Sequence, residues 1–335
     1  MAFDVSAITA WTEERGKNKA DWILKPILGG YSMKYLTAKY YGIQGQTIKL
    51  PNIDTTIPAQ GGYGCGFTSS GTTTITQTSL TTVPFTVQEK LCIRDLHQYF
   101  TVQTLPEKSL LDTWSMLDIW VNRKLQRISQ KLNMAIWQGK TTYTNDTWLK
   151  LQNGFINDID AASDEVIVTG GGAGTAITTS NVRTIFEEAL FNTSTGVFAI
   201  PQILGEAVAF TGQDTFATLR LKLMQDNLYH VPIGNASSPD NAYANWEMYY
   251  PGSTIKIVGI PELNQTNPVE TGVLPTAVKN RIVITYPDNL MVGMNGSGDD
   301  TEFRLWYSED NDEVRMSLRG FFGTGVKHTD LVVTY

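Results

Sequence analysis

Hydrophobic side chains recur every three or four residues over one long stretch of the chain, from residue 104 to residue 138. The positions are Trp114, Leu117, Val121, Leu125, Ile128, Leu132 and Ala135. This period places all of them on one face of an α-helix. At about 1.5 Å per residue the helix would be roughly 50 Å long, well above the usual length in a globular protein. We therefore predict a long amphipathic helix with a supporting, structural role.

Both ends of the predicted helix carry recognisable signals. Thr104 and Glu107 have the spacing of a capping box, in which each side chain accepts a backbone N–H of the first turn. Pro106 falls in that turn, where its missing N–H costs little. Gly139 follows the last apolar position and is typical of a left-handed C-terminal cap.

A different pattern precedes the helix. The segments 48–57 and 75–93 are predicted strands, since apolar positions such as Val83 and Phe85 alternate with polar ones or proline. A Gly- and Thr-rich stretch between them predicts a two-stranded hairpin with its tip near residues 62–73. Because a lone hairpin is marginally stable in water, we expect it to need a partner surface.

After the helix the pattern becomes mixed, which predicts an α+β layer followed by strands. Helical spacing predicts one helix over 182–189 and another from Thr211 to Leu223, and the predicted strands are 165–169, 198–200, 254–258, 281–286, 303–307, 314–318 and 331–333.

Composition narrows the functional classes. The 335 residues are 41% hydrophobic and only 18% charged, which favours extensive burial, including burial between subunits. A net charge of −7 argues against a dedicated nucleic-acid reader, although a protein can enclose nucleic acid without gripping it. No run of about 18 apolar residues predicts a membrane span, and the N-terminus lacks the pattern of a secretory signal.

We find no residue set that predicts catalysis, a cofactor or a metal. The histidines and cysteines are His97, His230, His328, Cys65 and Cys92, and none of them pair at metal-ligand spacing. The Gly run 170–174 lacks the Lys-Ser or Lys-Thr that follows a phosphate loop. The acidic cluster at 299–302 lacks the alternating ligands of a calcium loop. We therefore predict a protein that is not an enzyme.

One charge pattern on the helix has two interpretations. Arg123, Arg127 and Lys131 step by four residues, and Lys124 lies beside them. They form either a solvated face whose charge complements the negative C-terminal end of the helix, or an inner basic stripe that faces DNA.

The order of the parts resembles the tailed-bacteriophage major capsid protein, the Hong Kong 97-like fold of the Caudoviricetes type. The C-terminal segments 289–293, 303–307, 314–318 and 325–333 resemble the family's closing strands in order and texture. The resemblance covers the whole chain and is architectural. It implies an α+β fold with an N-terminal arm at 1–47, an extended loop (β-hairpin) at 48–102, a peripheral domain at 103–178 with its spine helix at 104–138, an axial domain at 179–283, and returning strands of the peripheral domain at 284–335.

The resemblance implies a structural major capsid (head) protein. Such a protein self-assembles into the hexamers and pentamers of an icosahedral or prolate shell that encloses double-stranded DNA without sequence-specific binding. The implied location is the virion, with assembly in the host bacterial cytoplasm. The implied partners are other copies of the chain, a separate scaffolding protein, a portal and decoration or head–tail connector proteins, with no membrane.

Two departures and two alternatives accompany this resemblance. Some family members begin with a long helical scaffolding segment, which is absent here, so we expect a separate scaffold or none. Some members crosslink through a loop lysine, but residues 60–75 contain no lysine and that chemistry is not carried over. The alternatives are an encapsulin-like nanocompartment shell and, from another class, a secreted β-rich binding module or adhesin.

Overall fold

The computed structural model describes residues 32–41, 47–56, 71–92, 111–162, 164–168, 176–228, 246–264, 281–294, 302–311 and 313–335. The helices are Leu111–Gln138 (α1), Phe155–Ala161 (α2), Val182–Phe191 (α3), Gln213–Gln225 (α4) and Pro261–Asn264 (α5). The strands are Lys39–Tyr41 (β1), Thr47–Thr56 (β2), Thr72–Thr81 (β3), Val83–Cys92 (β4), Val166–Ile167 (β5), Val208–Gly212 (β6), Glu247–Tyr249 (β7), Lys256–Ile260 (β8), Ile282–Thr285 (β9), Leu290–Met294 (β10), Glu302–Ser308 (β11), Glu313–Val326 (β12) and Val333–Thr334 (β13). Within the described ranges, no helix combines the length and the apolar character needed to cross a membrane.

A five-stranded sheet forms around β12, the longest strand. β11 and β10 pair antiparallel with successive parts of one edge of β12, while β4 pairs antiparallel with the opposite edge. β1 adds to β10 in parallel. Along β12 the side chains of Val314, Met316 and Leu318 are buried, while Arg319 on the alternate face is exposed. One face of this sheet is therefore apolar and needs a cover.

Helix α1 supplies that cover. Its apolar residues Val121, Leu125, Ile128, Leu132 and Ala135 are at most 7% exposed and share one core with the buried face of the sheet. The predicted stripe is confirmed at these positions. The side chains of Trp114 and Leu117, and the capping residues Thr104, Pro106 and Glu107, lie outside the described residues.

The left-handed cap predicted at Gly139, after the end of α1, is wrong. In the part of the chain that the structure describes, the glycine with positive φ is Gly252, not Gly139. The Gly139 N–H donates to the Ala135 carbonyl at 2.9 Å, and the Gly139 carbonyl accepts the Gly154 N–H at 2.8 Å. A Cβ on Gly139 would lie 2.5 Å from the carbonyl oxygens of Ala135 and Gln152. Glycine is needed here because two backbone segments approach closely.

The predicted strand 75–93 is divided in two by the structure. β2 and β3 form the expected antiparallel hairpin, whereas β4 leaves it and joins the five-stranded sheet. The division falls at Thr82, which is buried. A Cβ on Gly323 would lie 2.4 Å from the Thr81 carbonyl oxygen, so the chain changes sheets where it crosses a glycine of β12.

A six-stranded mixed sheet forms a second layer in the order β5-β13-β9-β6-β8-β7. Helices α3 and α4 bury their apolar faces in the core of this sheet. The C-terminal strand β13 lies between β5 and β9, so this part of the predicted returning strands at 284–335 belongs to the second layer and not to the five-stranded sheet. The domain boundaries themselves stay a prediction.

One predicted strand in this layer is wrong. Residues 198–200 lie in and after the 3₁₀ turn Val197–Ala199, which is followed by a second turn at Pro201–Ile203. Proline at position 201 favours the first turn of a helical segment rather than an inner strand. The actual strand of this region is β6, and the predicted helix after Thr211 begins at Gln213.

Candidate functional site

The four basic residues predicted from the helix period line one groove, which lies between α1 and β4. Its helix side is formed by Arg123, Lys124, Arg127 and Lys131, its strand side includes Glu89, and Trp120 and Trp148 also line it. The volume of the groove is about 680 Å³. Steps of three and four residues place these side chains on the solvent side of α1, while the apolar stripe faces the sheet.

Both lysines of the groove are neutralised within the subunit. Lys124 Nζ lies 2.9 Å from Glu89 Oε1, and Lys131 Nζ donates to Asp146 Oδ2 at 2.8 Å. Asp146 is buried and also accepts the backbone N–H groups of Trp148 and Leu149. Burial raises the pKa of Asp146, but the bond from Lys131 and the two backbone bonds outweigh it and hold the pKa below its ordinary value.

The two arginines differ from the lysines. Arg123 and Arg127 are exposed, and Arg127 Nη1 donates to Gln130 Oε1 at 3.3 Å. Neither arginine has a carboxylate partner among the described residues. The last turn of α1 contains no basic residue, and helix-end effects fall off within one turn. Favourable interaction with the negative C-terminal end of α1 therefore does not explain why Arg123 and Arg127 occupy these positions.

A second basic surface lies on the opposite face of the five-stranded sheet and was missed at the level of sequence. Lys90, Arg315 and Trp306 are cross-strand neighbours, and Trp306 is 40% exposed. Glu313 accepts from Lys90 Nζ at 2.8 Å. Arg304 and Arg319 lie on the same face. Alternation along β11 and β12 could have placed the arginines together, but the pairing with β4 has no local signal.

Candidate chemistry is sparse in the described part of the chain. There, no group of three His, Cys, Asp or Glu side chains could hold a metal ion. Cys92 is a free, half-buried thiol. His97, His230, Cys65 and most of the acidic cluster at 299–302 lie outside the described residues.

Comparison with solved structures gives the fold a precedent. The chain matches the capsid of a native GTA particle with a TM-score of 0.55 and 12% identity, covering 90% of this chain and 88% of that one. It matches the mature capsid of bacteriophage PhiM1 with a TM-score of 0.52 and 11% identity, covering 90% and 85%. For Microbacterium phage Oxtober96 the TM-score is 0.51 at 13% identity, covering 91% and 90%.

The chain has a phage capsid fold. No family model and no curated protein matches its sequence, so the likeness lies in the fold and not in shared motifs. The capsid fold inferred from the order of the parts is thereby confirmed as an architecture. Within that capsid fold, the basic groove lies on the polar side of the long helix and the second basic surface lies on the other side of the sheet.

Proposed function

We propose that this protein is a structural major capsid protein, which assembles into the hexamers and pentamers of a closed shell around double-stranded DNA. The observation that carries the proposal is the phage capsid fold, which extends over about nine-tenths of the chain. In this proposal the protein acts by assembly and not by catalysis, and it resides in the virion.

The β2–β3 hairpin supports a role in assembly. Leu80 at its base is buried against Ala38 and Met291, whereas Ile75 toward the tip is 66% exposed. In the described part of the chain the two strands pair only with each other. A two-stranded hairpin is marginal in water, and a neighbouring subunit would give its outer part a surface on which to pack.

Further parts of the proposal rest on the resemblance. They are the five-part division into arm, extended loop, peripheral domain, axial domain and returning strands, assembly in the host bacterial cytoplasm, and partnership with a separate scaffolding protein, a portal and decoration or connector proteins. The DNA-facing role of Arg123, Lys124, Arg127 and Lys131 also stays a prediction. Because Lys124 and Lys131 are paired with carboxylates, the available charge of that stripe resides in Arg123 and Arg127.

Electron microscopy of the purified full-length protein tests the proposal. We expect closed shells, with a mass far above the 37.1 kDa of one chain. Nuclease-protected DNA inside shells recovered from infected cells would support the capsid role, while shells that enclose protein and no DNA would favour the encapsulin-like alternative. A chain that stays monomeric under assembly conditions would overturn the proposal.

A further inference from the structure

The turn between β11 and β12 carries negative charge that no basic side chain among the described residues compensates. Glu309, Asp310 and Asn311 are consecutive and all exposed. Neither carboxylate is part of an ion pair within the described ranges. By contrast, the next described acid, Glu313, accepts from Lys90 and Arg315. The tip of this hairpin therefore presents two acids that no described basic side chain neutralises.

The acidic turn and the basic groove do not meet within one subunit. β12 begins at Glu313, which pairs with Cys92, whereas the strand side of the groove includes Glu89. Three residues of strand separate these positions, about 10 Å, and the acidic turn continues beyond them. Arg123 and Arg127 consequently have no carboxylate from their own acidic turn.

The two features match each other in charge, number and shape. The groove offers two arginines one helical turn apart, and the turn offers two adjacent carboxylates. The groove is a concavity of about 680 Å³, which admits a turn of a few residues. Arginine forms bidentate bonds with carboxylates, and the rings of Trp120 and Trp148 would shield such bonds from water.

We propose that the acidic turn of one copy, 309–311, docks into the basic groove of the next copy, where Glu309 and Asp310 pair with Arg123 and Arg127. This inference rests on the proposed self-assembly. The contact is heterologous, because a turn meets a groove, and contacts of this kind repeat around a ring when the rotation closes. Every subunit in such a ring uses both its turn and its groove.

Charge reversal tests this contact in the full-length chain. We expect Arg123→Glu with Arg127→Glu to reduce the yield of shells about tenfold, and Glu309→Lys with Asp310→Lys to do the same, because each places like charges against each other. The variant that carries all four changes restores opposite charges and should return the yield to within about threefold of the unchanged protein. Shell yield is measured by sedimentation and electron microscopy.

A second reversal on the other basic surface is the matched control. Arg304→Glu with Arg319→Glu changes charge by the same amount on the opposite face of the sheet, and it should not rescue the turn variant. Melting curves of every variant separate a folding defect from an assembly defect. Recovery in the variant with all four changes would itself show that each altered surface is compatible with folding.

Three results separate the alternatives. Rescue by the four changes supports the contact. Normal shells that lose their DNA when Arg123 and Arg127 are reversed would assign the groove to DNA and overturn the proposed contact. An unchanged chain that never assembles would instead overturn the proposed function, before the groove is tested.

Discussion

Gly139 and Gly154 lie in close backbone contact just after α1, where the Gly154 N–H donates to the Gly139 carbonyl. A Cβ on Gly154 would lie 2.7 Å from Gly139 N and from the Ala135 carbonyl oxygen, closer than side chains tolerate. We expect Gly154→Ala to lower the free energy of unfolding by about 1–3 kcal/mol, the usual cost of overpacking. Urea denaturation measures this. Gly205→Ala is the control, since nothing lies within 4 Å of its added Cβ. An equal loss in both variants would contradict the close-contact explanation.

Asp158 on α2 makes stability depend on pH. Burial raises its pKa from 3.8 to about 6. The folded chain therefore holds this proton more tightly than the unfolded chain, and stability is greatest below the unfolded pKa and falls as pH rises through about 6. Above that pH the charged carboxylate costs at most about 3 kcal/mol.

We expect Asp158→Asn to raise the melting temperature at pH 8 and to raise it much less at pH 4, where the aspartate is neutral in the folded state and about half ionised in the unfolded state. Thermal unfolding at the two pH values measures the difference. Asp310→Asn removes the same charge from an exposed turn and serves as the control. If Asp158→Asn raises the melting temperature as much at pH 4 as at pH 8, desolvation of Asp158 is not the cause. The same conclusion would follow if the control variant gained as much as Asp158→Asn.

At the scale of elements, α1 has one buried face and one exposed face, and substitutions on the two faces should differ in their effect on stability. Ile128 is 7% exposed and Ile119 is 50% exposed, although both are isoleucines of the same helix. We expect Ile128→Ala to lower the free energy of unfolding by about 2–5 kcal/mol, through lost burial and the cavity that remains. Ile119→Ala should change it by no more than about 0.5 kcal/mol. Chemical denaturation of both variants checks this, and similar losses would contradict the observed orientation of α1.

Local sequence patterns predict which helices and strands form better than they predict which of these elements contact each other. The period of three and four residues identified α1, and alternation identified β11 and β12, because both signals lie within a few residues. The pairing of Lys90 with Arg315 joins positions 225 apart and leaves no local trace. Likewise, the spacing of Arg123 and Arg127 was visible, but the neutralisation of Lys124 depends on Glu89, which reaches it only through the fold.

At the scale of the whole molecule, segments far apart in sequence tie the two sheets together. Met33 and Leu36, before the hairpin, are buried in the core beneath α1. Between them, Lys34 Nζ donates to Glu247 Oε1 on β7 at 2.9 Å, so this short segment contacts both layers. The C-terminal strand β13 likewise follows β12 of one sheet and completes the other. Among the described residues, the core is therefore formed without the outer part of the hairpin, which the proposed assembly would use for contacts between copies.

Because the described core does not include the outer part of the hairpin, a change in that part should affect assembly and not folding. We expect deletion of residues 60–75 to leave the subunit folded, because β4 and the buried Leu80 at the base of the hairpin remain in place. The same deletion should abolish shells, since the outer hairpin would no longer reach a neighbour. Circular dichroism and melting report on the fold, and electron microscopy reports on assembly.

Replacing 60–75 with a Gly/Ser segment of equal length separates loss of length from loss of specific contacts. Normal shells from the deleted chain would show that the hairpin tip is not an assembly element, and an unfolded chain would show that the core depends on it.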